Sequence, residues 1–259
     1  MSPPVILTWL SSAAARRWLH RAIPRARARL VSCRSAAQLE RALAASLTDA
    51  VVVDGRLPGG AAALARVRSS FPGVPRFVYS AFRPGDGRLL ANCVGLAAAS
   101  PIVEGVEDTV AGELVLPRTA TAQRLGALDH APRLLRLTDA LQVRAWAEVM
   151  RRVGGRLRAS DVARALHVSR EHLSRQFGAG GAPNLKRVID LARVATAADL
   201  LANPGYSVGG VARLLGFASA SHLSGASRRV AGVTARALPV LGPRGVLSAF
   251  LSGRTRSRR

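Results

Sequence analysis

The chain has 259 residues, a formal net charge of +23 and a hydrophobic content of 49%. This length suits two domains, each large enough for its own core. The positive charge is concentrated in residues 156–259, which favours an anionic partner such as nucleic acid for that part of the chain. No apolar run reaches the roughly 18 residues that a membrane-spanning helix requires. We therefore expect no membrane association, and a cytoplasmic protein.

The two cysteines, Cys33 and Cys93, lack the spacing of a metal site. They could form one disulfide, but buried reduced thiols in a cytosolic protein are the favoured alternative. The first 39 residues contain no acidic side chain, as in a transit peptide, yet the strand-like run over residues 5–10 favours a folded N-terminus. We predict no cofactor and no metal ion.

Residues 1–115 alternate between short apolar runs and helical patterns, which indicates an open α/β sheet. The third run, residues 49–54, is almost wholly apolar, as in a parallel strand covered on both faces. Strands are predicted over residues 4–10, 29–33, 49–54, 76–80 and about 96–103. Helices are predicted over residues 13–23 and 36–46, with another ending near residue 71.

This order of elements resembles the receiver domain of two-component response regulators, with a flavodoxin-like fold. The best local match is VVVDGRLPGG over residues 51–60, in which Asp54 falls on the family's phospho-acceptor position. Ser80 matches the family's switch Ser/Thr. The family has a lysine before a proline at the fifth strand, and here Ser100 before Pro101 replaces that lysine. The acidic pair that holds Mg²⁺ after the first strand is replaced by residues 8–12, TWLSS.

Two interpretations of Asp54 therefore remain open. It could accept a phosphoryl group, or it could be the acid that ends a strand and caps the next loop. Mg²⁺ requires carboxylate oxygens, and one aspartate without the acidic pair is a poor site. We favour a degenerate receiver that serves signalling or dimerisation, and a homodimer stays an open alternative.

Residues 116–132 are rich in Thr, Ala and Gly and are predicted to be a linker. A helix is predicted over about residues 133–153, with Leu134, Leu137 and Leu141 forming an apolar stripe. The stripe could pair two chains, although packing within its own domain is favoured, and Trp146 is expected in that core. Residues 133–241 are assigned to an all-helical domain with two helix-turn-helix units, and 242–259 to a basic C-terminal tail.

One pattern occurs twice in the C-terminal half. VARALHVSREHLSRQF covers residues 162–177, and VARLLGFASASHLSGAS covers residues 211–227. Each copy predicts two short helices around a turn, with Ser169 and Ser219 as the N-caps of the second helices. Leu173 and Phe177 should be buried, and Gly216 should supply a positive φ in the second turn.

Residues 156–236 thus resemble the DNA-binding domain of AraC/XylS-type transcription regulators. The joining helix of that family is matched by PNLKRVIDLARVATAADLL over residues 183–201. The resemblance implies double-stranded DNA as a partner, with RNA polymerase a further one. It also places the base-reading positions, which we take together with the adjacent caps and arginines as the candidate DNA-binding residues: Ser169, Arg170, Glu171, Ser174, Arg175, Ser219, Ala220, Ser221, Ser224, Arg228 and Arg229.

The second copy departs from the family's pattern at three places. Gly225 stands where Arg175 stands, Ser227 replaces the aromatic Phe177, and Leu223 stands where the family usually has phenylalanine. The glycine costs a helix about 1 kcal/mol relative to alanine, and the serine should leave the core underfilled. We therefore expect the first unit to specify sequence and the second mainly to position the protein, with Arg228 and Arg229 on phosphates.

These patterns favour a sequence-specific transcription regulator. The alternatives are a phosphorylation-controlled response regulator that uses Asp54, and a protein-interaction module with weakened DNA binding, suggested by Gly225 and Ser227. An enzyme is disfavoured, because none of the five histidines has a Cys, Ser or acidic partner at motif spacing and no phosphate loop is visible.

Overall fold

In the computed structural model, residues 3–177 and 181–253 are described. Their contacts divide the chain into two compact units. The α/β unit comprises residues 3–123 with 203–205, and the helical unit comprises 124–202 with the chain from 206 onward. The division therefore falls between residues 123 and 124, within the segment 116–132 that was predicted to be a linker.

The α/β unit is built on five parallel strands in the order β2-β1-β3-β4-β5. This is the flavodoxin-like order, so the predicted receiver-like fold is confirmed. The strands are β1 Val5–Trp9, β2 Arg29–Ser32, β3 Ala50–Asp54, β4 Arg76–Ser80 and β5 Ser100–Val103. The helices are α1 Ala13–Ala22, α2 Ala36–Ala45, α3 Gly60–Ser70, α4 Gly87–Leu90 and α5 Ala111–Val115, with a π-helical segment over Ala91–Leu96.

The central strand β3 is buried along its whole length, because helices cover both faces of the sheet. On one face its Val52 joins a core with Ile6, Leu19 and Phe77. Short side chains begin the helices: the Ser12 and Ser35 hydroxyls accept hydrogen bonds from the Ala15 and Gln38 amides of α1 and α2. The strands are thus fixed by burial, and their carboxyl ends lie along one edge of the sheet.

The two cysteines lie in this unit as separate, buried thiols. Burial raises the pKa of Cys33 and of Cys93, which keeps both thiols protonated at neutral pH. The favoured alternative of reduced, buried cysteines therefore agrees with the structure.

The predicted linker is not an open connection. It contains a 3₁₀ turn over Leu116–Arg118, helix α6 Ala120–Ala127 and the start of helix α7 Ala131–Leu134. The Thr119 hydroxyl accepts a hydrogen bond from the Ala122 amide at 3.3 Å, so the threonine that suggested a linker acts as a helix cap.

The prediction of a single helix over residues 133–153 is wrong, because the chain breaks between α7 and helix α8 Ala140–Arg151. Asp139 begins α8 with a capping box: its carboxylate accepts from the Leu141 and Gln142 amides, and the Gln142 side chain accepts from the Asp139 amide. Arg136 adopts a φ of 56° in the break. The leucine stripe is consequently divided, with Leu134 46% exposed and Leu137 buried, whereas Trp146 is 3% exposed and packs in the core as predicted.

The remaining helices are α9 Ala159–Ala165, α10 Arg170–Gln176, α11 Leu185–Leu201, α12 Val208–Leu214, α13 Ala220–Ala231 and α14 Leu238–Leu251. Helix α11 is the joining helix and is buried on several sides, as its sequence predicted. It begins at Leu185 rather than at Pro183, because the Asn184 side chain accepts from the Arg187 amide at 2.9 Å. Helices α8, α12, α13 and α14 pack against it.

The basic tail predicted over residues 242–259 is partly structured. Helix α14 bends at Gly242, which has a φ of 61° and a ψ of 178°, and continues to Leu251. Val246, Leu247 and Phe250 are buried, so the apolar residues of this segment belong to the core of the helical unit. The arginine-rich end, residues 254–259, lies outside the described residues.

Candidate nucleic-acid interface

The first repeat forms a pair of helices, α9 and α10, which pack against α8. The Ser169 hydroxyl caps α10 by accepting from the His172 amide at 3.0 Å. Leu173 and Phe177 are buried, while Arg170, Glu171, Ser174 and Arg175 are exposed. The helix therefore turns its polar face to solvent, as the repeat predicted.

The second repeat forms helices α12 and α13, and a serine caps each of them. The Ser207 hydroxyl accepts from the Gly210 amide at 3.0 Å and the Ser219 hydroxyl accepts from the His222 amide at 3.1 Å. Helix α13 continues to Ala231, so it is longer than α10 by more than one turn. Gly232 ends it in the left-handed conformation that favours glycine.

The turns of the two repeats place different demands on one position. His167 in the first turn has a φ of 57°, and Gly216, its counterpart in the second, has a φ of 70°. A Cβ atom on Gly216 would stand 2.1 Å from the carbonyl oxygen of Gly155. Glycine is required there by the close approach of another backbone segment as well as by φ.

The exposed face of α13 carries small and cationic side chains. Ser219, Ala220, Ser221, Arg228 and Arg229 are exposed, and Ser224 is half-buried. The small residues leave a cleft of about 630 Å³, which Arg228 lines together with Thr234 and Arg236.

Ser227 is held by a hydrogen bond. It is fully buried, and its hydroxyl donates to the carbonyl oxygen of Val233 at 2.7 Å. The hydrogen bond ties α13 to the segment after its C-terminal cap, so the serine holds the chain where an aromatic residue would fill space.

Arg193 of α11 connects the joining helix to the segment before α9. Its Nη2 donates to the Leu157 carbonyl at 2.9 Å, and its guanidinium lies 5.8 Å from the centre of the Phe217 ring. Burial lowers the pKa of Arg193 and raises that of Asp190, one turn earlier on the same helix. A fixed cation and a partly desolvated carboxyl group thus lie beside the second repeat.

In the α/β unit, Asp54 ends β3 and is 7% exposed. Its carboxylate accepts hydrogen bonds from the Arg56 amide at 3.0 Å, and from the amide and the hydroxyl of Ser11. Ser11 lies within the stretch that replaces the acidic pair of receivers. Among residues 3–177 and 181–253, no group of three or more His, Cys, Asp or Glu side chains could hold a metal ion.

Ser80 ends β4 with a buried hydroxyl that has no hydrogen-bond partner among the described residues. The match of Ser100 to the family's lysine is wrong, because β5 pairs Ser100 with Phe77 and Val103 with Ser80. Ser100 therefore begins the strand, at the edge of the sheet opposite to Asp54. The residue that follows the carboxyl end of β5 is Glu104, whose amide donates to the Ser80 carbonyl.

Comparison with known families supports the interpretation of the repeats. Residues 162–238 match the family model described as a helix-turn-helix domain. This match agrees with the resemblance of residues 156–236 to AraC-type DNA-binding domains. The match spans both repeats and the joining helix, and no curated protein matches the chain.

Solved structures similar to the chain include the following two. The signal receiver domain of an HD domain-containing protein from Pseudomonas fluorescens Pf-5 is 25% identical, over 49% of this chain and 96% of that one, with a TM-score of 0.39. Full-length FixJ from B. japonicum is 15% identical, over 88% of this chain and 97% of that one, with a TM-score of 0.41.

Sequence reasoning missed several residues beside the helix-turn-helix domain's second repeat. Arg236 and Thr234 line the same cleft as Ala220, Ser221 and Ser224, and Arg156 and Lys186 line another one with Ser221. They lie outside the repeated pattern, so the alignment of the two copies gave no signal for them. In the part of the chain that the structure describes, no helix is long and apolar enough to cross a membrane.

Proposed function

We propose that this protein is a sequence-specific transcription regulator that contacts double-stranded DNA through both helix pairs. The observation that carries the proposal is that α10 and α13 are each capped by serine and each expose the polar face that starts at the cap. In DNA-binding helix-turn-helix domains the N-terminal part of the second helix meets base edges in the major groove.

The two helices would have different tasks. Arg175 can donate two hydrogen bonds to guanine O6 and N7, and Glu171 can accept from cytosine N4. Helix α13 offers only short side chains at its corresponding positions, followed by Arg228 and Arg229 on its last turn. The first unit would therefore read bases, and the second would hold phosphates and fix the orientation.

Selection of bound duplexes from a random pool tests the proposal. A recovered site with one well-defined segment of a few base pairs, next to a weakly defined one, would agree with a single reading unit. A palindromic site would indicate a homodimer. Failure to recover any sequence would favour the alternative of a protein-interaction module. Transcription with purified RNA polymerase would then show whether the protein activates or represses.

We predict that Arg228→Ala weakens binding to all duplexes alike. Loss of one phosphate contact should reduce the slope of log K against log salt by about one. Fluorescence anisotropy over a salt series measures this slope. Arg144→Ala on the exposed face of α8 removes the same charge from the same unit, and its slope should stay unchanged. A change of base preference in Arg228→Ala would contradict the phosphate role.

For the α/β unit we propose a signalling or dimerisation role without phosphorylation. The hydroxyl of Ser11 lies on the Asp54 carboxylate, and Mg²⁺ prefers oxygen ligands supplied by carboxylates, which the neighbouring stretch of residues 8–12 lacks. Large apolar side chains remain exposed on either side of the edge strand β5, notably Leu96 and Val106. These side chains would leave contact with water if a second chain covered them.

Incubation with a small phosphodonor and Mg²⁺ is accordingly expected to leave the intact mass unchanged. Mass spectrometry of the wild type and of Asp54→Asn, with a functional receiver domain treated in parallel, makes the comparison. A mass gain of one phosphoryl group that disappears in Asp54→Asn would instead establish a phosphorylation-controlled regulator.

A further inference from the structure

A second cleft in the helical unit lies between the joining helix α11 and the recognition helix α13. Its volume is about 380 Å³, within the range of small-ligand sites. The lining residues that matter for its chemistry are Arg156, Lys186, Asp190, Arg193, Gly225 and Arg229. Its location next to Ser221 places it beside the candidate DNA-binding face.

The cleft is cationic. Four basic side chains line it against the single carboxyl group of Asp190. Arg193, Arg229 and Lys186 all act on the Asp190 carboxyl to lower its pKa, but burial outweighs them and leaves it raised. The excess positive charge is therefore not neutralised within the cleft.

Arg193 supplies a cation that is held in place before any ligand arrives. Its Nη2 is engaged by the carbonyls of Gly155 and Leu157. Its Nε is buried and has no hydrogen-bond partner among the described residues. A buried donor without a partner is costly. An anion bound in the cleft would offset part of this cost, because it would be attracted to the positive charge of the Arg193 guanidinium.

Gly225 keeps the cleft open. It lies inside helix α13 and has no positive φ, so the backbone does not require glycine. A Cβ atom would meet only the Arg229 Nη1 atom, at 3.5 Å, which is an ordinary contact. Glycine weakens a helix, and neither the backbone nor packing requires it at position 225. A longer side chain there would extend into the cleft, which explains why glycine keeps the cleft open.

We propose that this cleft is a binding site for a phosphate-type oxyanion. The phosphate could belong to a free small molecule or to the DNA backbone. Only the second source rests on the proposed function; the free anion would bind whether or not the protein recognises DNA.

Lys186 provides a direct reporter, because it is the only lysine of the chain. The full-length protein labelled with ¹³C-lysine should give one side-chain set of NMR signals from a residue that lines the cleft. Inorganic phosphate and pyrophosphate are titrated against chloride at equal ionic strength. We expect a saturable shift with the phosphates and little with chloride.

Gly225→Leu is the decisive variant. It should raise the helix propensity of α13 while filling the cleft, so the shift should be lost without loss of thermal stability. Gly209→Leu is the matched control, because Gly209 lies in α12, outside the cleft, and a Cβ there meets nothing within 4 Å. Asp190→Asn removes the one carboxyl group and should tighten phosphate binding by roughly three- to tenfold.

The outcomes separate the sources. A saturable shift that Gly225→Leu abolishes and Gly209→Leu preserves supports a free-phosphate site. A shift that appears only with duplex DNA, and that Gly225→Leu removes, supports a backbone phosphate. No shift with either ligand, or a shift that persists in Gly225→Leu, would overturn the proposal.

Discussion

Replacing Arg175 with alanine is expected to cost about 1–3 kcal/mol of binding free energy on the preferred duplex and to relax discrimination at one base pair. Arg175 is exposed on α10, two residues before the buried Phe177. A guanidinium that donates to guanine O6 and N7 gives a sequence-dependent contribution, so duplexes with another base pair at that position should lose little.

Binding of wild type and variant to a set of single-base-pair substitutions of the selected site measures this effect. Arg17→Ala is the charge-matched control, because Arg17 is exposed on α1 of the α/β unit. It should leave discrimination unchanged. Equal losses for Arg175→Ala on every sequence would refute the base-reading role.

Gly216→Ala is expected to destabilise the helical unit by roughly 2–5 kcal/mol. The added methyl group would stand 2.1 Å from the Gly155 carbonyl oxygen and 2.3 Å from its carbon atom. Both atoms belong to backbone and cannot move without shifting the segment that Arg193 also holds. The left-handed φ of 70° adds its own cost.

Hydrogen exchange of the α12 and α13 amides, together with thermal unfolding, detects this loss. Gly232→Ala provides the comparison, since Gly232 has nearly the same φ, 72°, and no atom within 4 Å of the added Cβ. It should lose only the conformational part, about 1–2 kcal/mol. Similar losses for both variants would show that the close approach at Gly155 has no energetic importance.

The strands and the repeated helices could be predicted from the sequence, because local patterns determine them. The apolar run at β3 predicts a buried strand, and Ser169 and Ser219 predict the starts of two helices. The break before α8 was missed although Asp139 and Gln142 form a capping box. The stripe of Leu134, Leu137 and Leu141 continues across the break, so it suggested one helix in spite of the capping box.

Other features depend on contacts distant in sequence. The register of β5 against β4 places Ser100 at the start of its strand, whereas Asp54 lies at the carboxyl end of β3. No pattern within β5 specifies that register. The cleft beside α13 joins Arg156, Lys186 and Gly225 from separate segments. In the sequence, Gly225 shows only that the counterpart of Arg175 is absent, and nothing there indicates that it lines a cleft.

The unequal turns of the two repeats have a consequence for how each can vary. At position 167 the left-handed backbone is occupied by histidine, so a range of residues, with asparagine and glycine foremost, should be accepted there. At position 216 the neighbouring carbonyl leaves no room for any side chain. A saturation library should thus show a permissive site and an invariant one at equivalent places in a duplicated motif.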